Sequence, residues 1–252
     1  MIKWDIITVS FNNSKQLKRN WNWILDVGVS DSINWIVVDN NSKDDSIEIA
    51  RELGATVIAL SSNVGFSKAN NIAFKKSYGE YVLFANPDLR IEANDLPKLA
   101  TTIEKFPGIC SPQLVNEDGS WQKNGRGLPF LSAKLAHRGV PLLGMLKGSK
   151  QYLPEIRVDE VYDVEWLMGA SIACSRKVFS NIGLWDESFF IYYEDHELGL
   201  RSRKKGFSVK VDSRFSWKHE WARETKGFNY VAWKHEIKSA FEFYRRNLKY
   251  LR

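Results

Sequence analysis

Two turns bearing carboxylates hold the chemistry open to this chain. Residues 79–88 read Gly-Glu-Tyr-Val-Leu-Phe-Ala-Asn-Pro-Asp, an apolar run that stops at Asn-Pro-Asp and delivers Asp88 at its end. A second run, Phe189-Phe190-Ile191-Tyr192-Tyr193, leads into Glu194-Asp195, and His219 follows. Acidic groups at strand ends of an α/β sheet usually meet a ligand. Asp88 in that position suits Mg²⁺ or Mn²⁺, hard cations that prefer oxygen and often keep substrate phosphates as ligands. Glu194 and Asp195 leave an aromatic wall, where partial desolvation tunes a carboxyl for service as a general base. The plainer accounts are a turn at Asp88, helix capping at Glu194-Asp195 and a satisfied core or surface histidine at His219.

A second group lies nearer the start. Thr8 and Ser10, Asp39, and Asn63 end three apolar runs, so a parallel sheet would bring them to one carboxyl-terminal edge. Asp39 there accepts from ribose hydroxyls or a base N–H, while Asn12 and Asn41 offer both donors and acceptors. Asp39 and Ser42 would equally serve as turn and cap of the next helix, and one residue can do both.

The elements that position these groups alternate. Strands are expected at 6–9, 35–38, 56–60 and 81–84, with helices over 14–27, from Asp44 or Asp45 to Leu53, and around Ala69-Ala73. Apolar strands and short helices in alternation argue for parallel pairing with right-handed crossovers. No Gly-x-Gly-x-x-Gly or Gly-x-x-x-x-Gly-Lys-Ser/Thr follows a strand, which counts against a dinucleotide fingerprint and a P-loop NTPase. Residues 119–151 are rich in Gly and read as a long loop, functional or mobile, with a short helix near 132–138. A strand region follows over 164–175, then helices over 177–182, 195–205 and 230–250, the last amphipathic and basic.

With 252 residues, 44% hydrophobic and 26% charged, the chain fits one globular domain. Residues 1–100 read as a nucleotide-binding-like half, 101–225 as a less regular half, and 226–252 as a C-terminal helix. Cys110 and Cys174 are too few for a disulfide framework, the start lacks a basic n-region, and no stretch reaches 18 apolar residues. A cytoplasmic setting is the expectation, with peripheral attachment to the membrane. The net charge of +6 suits nucleotides, phosphorylated lipids or an anionic surface, and a merely soluble basic protein too. No nucleic-acid partner is expected. Several of the ten tryptophans lie in the second half, where they either pack the core or stack on sugars.

These residues together resemble family 2 inverting glycosyltransferases of the GT-A fold, and within them the rhamnosyltransferase-like branch. The blocks are Thr8-Val9-Ser10-Phe11-Asn12, Val38-Asp39-Asn40-Asn41-Ser42-x-Asp44 and Asn63-x-Gly65-Phe66-x-x-x-Asn70. They continue with Asn86-Pro87-Asp88, Trp166-Leu167-x-Gly169-Ala170, Asp186-Glu187-x-Phe189-Phe190, Glu194-Asp195 and Tyr244-x-Arg246-Asn247. The resemblance implies an α/β fold with a Rossmann-like, mostly parallel central sheet flanked by helices and an acceptor-side C-terminal region. It places Thr8, Ser10, Asn12, Asp39 and Asn41 in the nucleotide pocket, closed by Asn63, Gly65 and Asn70. Asn86 stands where many members carry Asp, which leaves Asp88 as the direct carboxylate ligand. Asp195 corresponds to the catalytic base, and His219 to a histidine completing the shell of Mg²⁺ or Mn²⁺.

The implied reaction is a single displacement. Asp195 takes the proton of an acceptor hydroxyl as that oxygen attacks the anomeric carbon opposite the diphosphate. Gln122, Arg126 and Glu194 are expected on the acceptor or lid side, and Trp166, Leu167, Met168 and Gly169 near the donor sugar. Lys210, Lys218 and Arg223 are the cations that would neutralise the leaving group without a metal. The branch favours dTDP-L-rhamnose as donor and a lipid-linked saccharide as acceptor, in surface polysaccharide synthesis such as O-antigen. A UDP-linked hexose or N-acetylhexosamine is the alternative donor. A non-catalytic nucleotide-sugar or membrane-binding module is the alternative of another class, since fold does not fix function. A sugar-1-phosphate nucleotidylyltransferase would need a Gly-rich basic loop where Ser10-Phe11-Asn12-Asn13 stands. The C-terminal helix, with Lys234, Lys238, Arg245, Arg246 and Lys249 among aromatic residues, would meet an anionic bilayer, pack on the domain or join a homodimer.

Overall fold

The computed structural model describes residues 3–27, 32–137, 152–220 and 230–251. Arg223 and residues 138–151 of the Gly-rich segment lie outside the described residues. The strands are β1 (Trp4–Ser10), β2 (Ile33–Asp39), β3 (Thr56–Ala59), β4 (Tyr81–Ala85), β5 (Leu89–Arg90), β6 (Gly108–Val115), β7 (Gly125–Arg126), β8 (Val161–Asp163), β9 (Trp166–Leu167), β10 (Ser171–Ser175) and β11 (Ser208–His219). The α-helices are α1 (Ser14–Asn20), α2 (Trp23–Val27), α3 (Ser46–Glu52), α4 (Phe66–Lys76), α5 (Leu96–Lys105), α6 (Leu131–His137), α7 (Arg176–Ile182), α8 (Glu194–Lys204) and α9 (Tyr230–Arg246).

The main sheet runs in the order β3-β2-β1-β4-β10-β6-β11-β5, with β8 beside β11. β3, β2, β1 and β4 are parallel, β10 is antiparallel to both neighbours, and β6 and β11 are again parallel. β1, β2 and β4 are covered on both faces, which is why they read as continuous apolar runs. Trp4, Ile6, Trp35 and Val37 turn to a core beneath α1, α3 and α5, where Trp21 and Trp35 stack 4.5 Å apart. Ile7, Ile36, Val38 and Phe84 turn to a second core with α4, α7 and Leu198 of α8. A smaller aromatic cluster of Phe189, Tyr193, Phe243 and Tyr244 docks α9 on the segment before α8.

Several boundaries differ from the sequence reading. The helix expected over 14–27 breaks after Asn20, because Trp21 turns inward to stack on Trp35 and to donate from Nε1 to the carbonyl of Pro87 at 3.0 Å. The segment expected as a long loop carries regular structure where described: β7 pairs with β9, and Gln122, Asn124 and Arg126 are buried. The short helix expected near 132–138 is α6. The region 164–175 is two strands joined by a turn at 168–170. The final helix ends at Arg246, followed by a short 3₁₀ turn over Leu248–Tyr250. Strands β6 and β11 had no counterpart in the sequence reading.

Candidate functional site

The carboxyl ends of β1 and β2 lie in register, with Ser10 opposite Asp39. Asp39 Oδ2 accepts from the N–H of Ser42 at 2.9 Å, so the turn-and-cap reading of Asp39 holds. Its Oδ1, however, is buried without a hydrogen-bond partner among the described residues, as is the Ser10 hydroxyl. A buried carboxylate oxygen left in that state is costly unless a ligand satisfies it. Asn12 and Asn41 both adopt left-handed backbone at φ 57° and 69°. Asn12 donates its N–H to Ser42 Oγ and accepts from the N–H of Lys43 at 2.7 Å. Asn41 accepts from Lys43 Nζ at 3.1 Å. These residues shape the rim around the Ser10–Asp39 pair.

Thr8 differs from its expected place. Its hydroxyl accepts from Trp35 Nε1 at 3.1 Å inside the core, so its side chain supports the sheet. Asn63 accepts from the N–H of Gly65 at 2.9 Å, and Asn40 accepts from that of Val64 at 2.9 Å. Gly65 sits at φ 86°, and a Cβ there would lie 2.5 Å from the carbonyl oxygen of Phe190. No other residue fits between this loop and the aromatic segment. Asn70 turns back to the carbonyl of Phe66 within α4, at 3.0 Å. Its neighbour Asn71, absent from the sequence reading, donates to Trp185 O and Glu187 Oε1, both at 2.9 Å, and ties α4 to the approach of α8.

Asp88 and His219 meet because β11 pairs antiparallel with β5, setting His219 opposite Leu89. Asp88 Oδ1 lies 3.5 Å from His219 Nε2. His219 is buried, and its Nδ1 contacts Gln122 Oε1 at 2.8 Å. The Gln122 amide N–H₂ donates to the carbonyl of His219 and to Asn116 Oδ1, both at 2.8 Å, so its oxygen is the end that faces the ring. His219 therefore donates from Nδ1, and in the neutral ring Nε2 turns its lone pair towards Asp88. Two acceptors facing one another suit a cation between them. One carboxylate and one imidazole also suit Mg²⁺ or Mn²⁺, which take their remaining ligands from phosphate and water. Among the described residues no group of three His, Cys, Asp or Glu side chains forms a fuller metal cluster. Gln122, expected on the acceptor or lid side, is buried and orients His219 instead.

The base candidate is held from the next turn. The N–H of Gly169 donates to Asp195 Oδ2 at 3.2 Å, and the carbonyl of Ala170 accepts from the N–H of Asn86 at 3.0 Å. Two adjacent residues of one turn thus join the Asn-Pro-Asp segment to Asp195. Tyr192 and Tyr193 precede α8 in consecutive left-handed conformations, φ 69° and 68°, a strained entry of the kind that concentrates at functional sites.

The two adjacent acids are driven apart. Burial, reinforced by the charge of Asp195, pushes the Glu194 carboxyl well above its ordinary range. Burial also opposes ionisation of Asp195, but His196 and the backbone N–H groups of Gly169 and His196 outweigh it and hold Asp195 below its ordinary value. Asp195 is thus the member of the pair that the surroundings favour as the ionised form. Trp166 does not reach towards a donor: it is buried, donates to the carbonyl of Gly127 at 2.8 Å and stacks on His196 at 3.5 Å. Leu167 is fully buried in the second core. Arg126 is buried beside Trp166 and Tyr152. Lys210 is engaged by Asp163 at 2.8 Å, and Lys218 points away from His219 on β11. His196 escaped the sequence reading, where it offered no signal beyond following the acid pair.

Comparison with known proteins gives the family and the fold. The sequence model of glycosyl transferase family 2 matches residues 5–182, and the chain belongs to that family. The low-salt glycan biosynthesis hexosyltransferase Agl10 of Haloferax volcanii is 29% identical over 213 residues, 81% of this chain and 63% of that protein. The N-acetylglucosaminyl-diphospho-decaprenol L-rhamnosyltransferase of Mycobacterium tuberculosis is 25% identical over 225 residues, 82% of this chain and 73% of that one. The solved mannosyltransferase PcManGT of Pyrobaculum calidifontis, in complex with GDP-Man and Mn²⁺, superposes with a TM-score of 0.63 at 15% identity. That match covers 96% of this chain and 64% of PcManGT, and the shared fold is GT-A.

Proposed function

We propose that the protein is an inverting glycosyltransferase that moves L-rhamnose from dTDP-L-rhamnose to a hydroxyl of a lipid-linked saccharide in surface polysaccharide synthesis. The observation that carries the reaction class is the turn at 168–170. It binds Asn86 of the Asn-Pro-Asp segment on one side and Asp195 on the other, so a donor diphosphate at Asp88 and an acceptor hydroxyl at Asp195 would share one centre.

In this reading Ser10 and Asp39 take the nucleoside, and Asp88 and His219 hold Mg²⁺ or Mn²⁺. The ion, when bound, supplies positive charge against the leaving diphosphate. Asp195 receives the proton of the attacking hydroxyl. The nucleoside diphosphate leaves without a general acid, so one carboxylate suffices. Support for rhamnose comes from the branch resemblance and from the name of the mycobacterial relative. The haloarchaeal hexosyltransferase favours the second reading, a hexose or N-acetylhexose donor.

A lipid-linked acceptor would put the enzyme at a membrane surface. Among the described residues no helix is long and apolar enough to cross a bilayer. The outer face of α9 exposes Tyr230, Ile237 and Phe241 beside Lys234 and Lys238, while its inner face is packed on the domain. Such a face suits peripheral docking on anionic lipid.

Thermal shift with dTDP, UDP and GDP, each with Mn²⁺, tests the donor, because a nucleotide that binds the native state raises its melting point. Stabilisation by dTDP, followed by rhamnosyl transfer in a product assay over a panel of nucleotide sugars, is the expected result. Stabilisation by UDP alone would transfer the assignment to a UDP-sugar. Binding without transfer to any acceptor would leave a non-catalytic module.

A further inference from the structure

Asp195 is gripped unequally at its two oxygens. Oδ1 accepts from the backbone N–H of His196 at 2.8 Å and contacts His196 Nδ1 at 2.6 Å. Oδ2 has the longer bond from Gly169, at 3.2 Å, and lone-pair capacity to spare. The His196 ring cannot swing away. It stacks on Trp166 at 3.5 Å and 22°, on Tyr193 at 4.7 Å and 29°, and meets the edge of Phe243 at 5.8 Å. The ring is buried, and its Nε2 has no hydrogen-bond partner among the described residues.

We infer that His196 is a positioning residue, which holds Asp195 by Oδ1 through a neutral Nδ1–H imidazole and so leaves Oδ2 to take the proton of the acceptor hydroxyl. The inference rests on the reaction proposed above. In that step the acceptor O–H bond breaks with its proton going to Oδ2. The acceptor oxygen bonds to the anomeric carbon, and the electron pair of the broken C–O bond leaves on the nucleoside diphosphate.

The groups around the ring favour this form. From its own helix come Glu194 and Asp195. Arg126 of β7 lies over Trp166 at 5.9 Å. Lys134 of α6 lies over Tyr193 at 3.6 Å and 3.7 Å from Glu236 of α9. Burial pushes the imidazole down to about 4, against the pull of Asp195, and the two nearby cations act in the same direction as burial. An imidazolium would form a full salt bridge and make Asp195 a poorer proton acceptor; a neutral donor aims the carboxylate at less cost to its basicity.

The test compares His196→Phe, which keeps a ring in the stack but removes the donor, with His196→Asn, which returns an N–H₂ near the Nδ1 position. For His196→Phe the acidic limb of the kcat/KM profile should move up by about one pH unit, a tenfold loss below that limb. The donor KM should change little, and His196→Asn should recover most of the loss. A uniform loss at every pH, or no rescue by Asn, would overturn the inference. Imidazole ¹⁵N NMR of the parent provides a readout independent of activity and of variant folding. One of the four histidines, identified by its shift in Asp195→Asn, should stay neutral and Nδ1-protonated to below pH 5. An Nε2–H tautomer, or titration near pH 6.5, would sink the clamp. A correct tautomer in a protein that transfers no sugar would instead refute the reaction reading.

Discussion

Gly169 and Asp195 are joined by a backbone N–H to Oδ2 at 3.2 Å, and this bond ties the proposed base to the strand pair that also fixes Asn86. Gly169 has room for a Cβ, since its nearest neighbour there, Asp195 Cβ, would stand 3.7 Å away. What the site uses at this position is the amide, offered by a turn between β9 and β10. The Asp195 carboxylate is thus located by the sheet, not by its own helix alone.

Asp195→Asn keeps the shape of the side chain and removes the base. Turnover should fall by about 10²–10⁴, the usual worth of general base catalysis, with nucleotide affinity within a few-fold of the parent. Initial rates and calorimetric titration of the nucleotide separate the two effects. Turnover near that of the parent would take the base away from α8.

Asp88→Ala should weaken donor binding and activation by Mn²⁺ or Mg²⁺ together, because metal and phosphate share one shell. His219→Ala should do so less severely. Gln122→Ala should resemble His219→Ala, since Gln122 fixes the ring; lost outer partners typically cost about 10–100-fold in metal affinity or activity. Full activity of the parent after exhaustive EDTA treatment would refute the metal assignment.

Glu194 should be a stability liability above acidic pH. Its folded-state carboxyl is raised, so once the unfolded chain ionises near its ordinary range the native state binds the extra proton, and stability falls as pH rises. Glu194→Gln removes that cost. Its melting point should exceed the parent's at pH 7.5 and approach it at pH 4.5, each kcal/mol appearing as about 2–4 °C in a domain of this size. His196 works in the opposite direction in both proteins: depressed to about 4, it costs stability as pH falls from about 6.5 towards 4. The difference between variant and parent isolates Glu194. A difference independent of pH would contradict the assignment of the proton to Glu194.

The first half of the fold was legible because its strands are buried on both faces. Ile6-Ile7, Ile36-Val37-Val38 and Val82-Leu83-Phe84 each announce themselves as apolar runs. β6 did not, since Ser111, Pro112 and Gln113 interrupt it although all its residues are buried. β11 hides behind Asp212-Ser213-Arg214, where its register with β6 shifts. Phe215, Trp217 and His219 alternate inward beyond that point, and this was its available signal. Asp88 and His219 could be paired by family likeness, but their closeness depends on β11 meeting β5. Thr8 was assigned to a ligand by family likeness, Trp166 as an apolar contact for the donor sugar and Gln122 as part of a flexible segment, and none of these grounds tells a buried partner from a binding residue. Each is instead used within the protein, on His196, Trp35 and His219 respectively.

The outer face of α9 gives the last prediction. Its inner face is anchored by Phe243 and Tyr244 and by the Ser239 hydroxyl, which donates to Ile191 O at 2.8 Å, so the helix is held with Tyr230, Ile237 and Phe241 outward. Lys234 and Lys238 lie on α9 beside them, and each cation near an anionic surface contributes about 1 kcal/mol. Co-sedimentation with anionic vesicles should therefore be clear at low salt, weak at high salt and absent with neutral lipid. Ile237→Glu/Phe241→Glu should abolish it and leave transfer to a soluble acceptor analogue intact, because neither residue touches the site. A homodimer would give a different pattern, in which the same variant shifts the sedimentation coefficient and lipid charge has no effect. Binding to neutral and anionic vesicles alike would remove the cations from the interaction and leave the apolar residues to account for it.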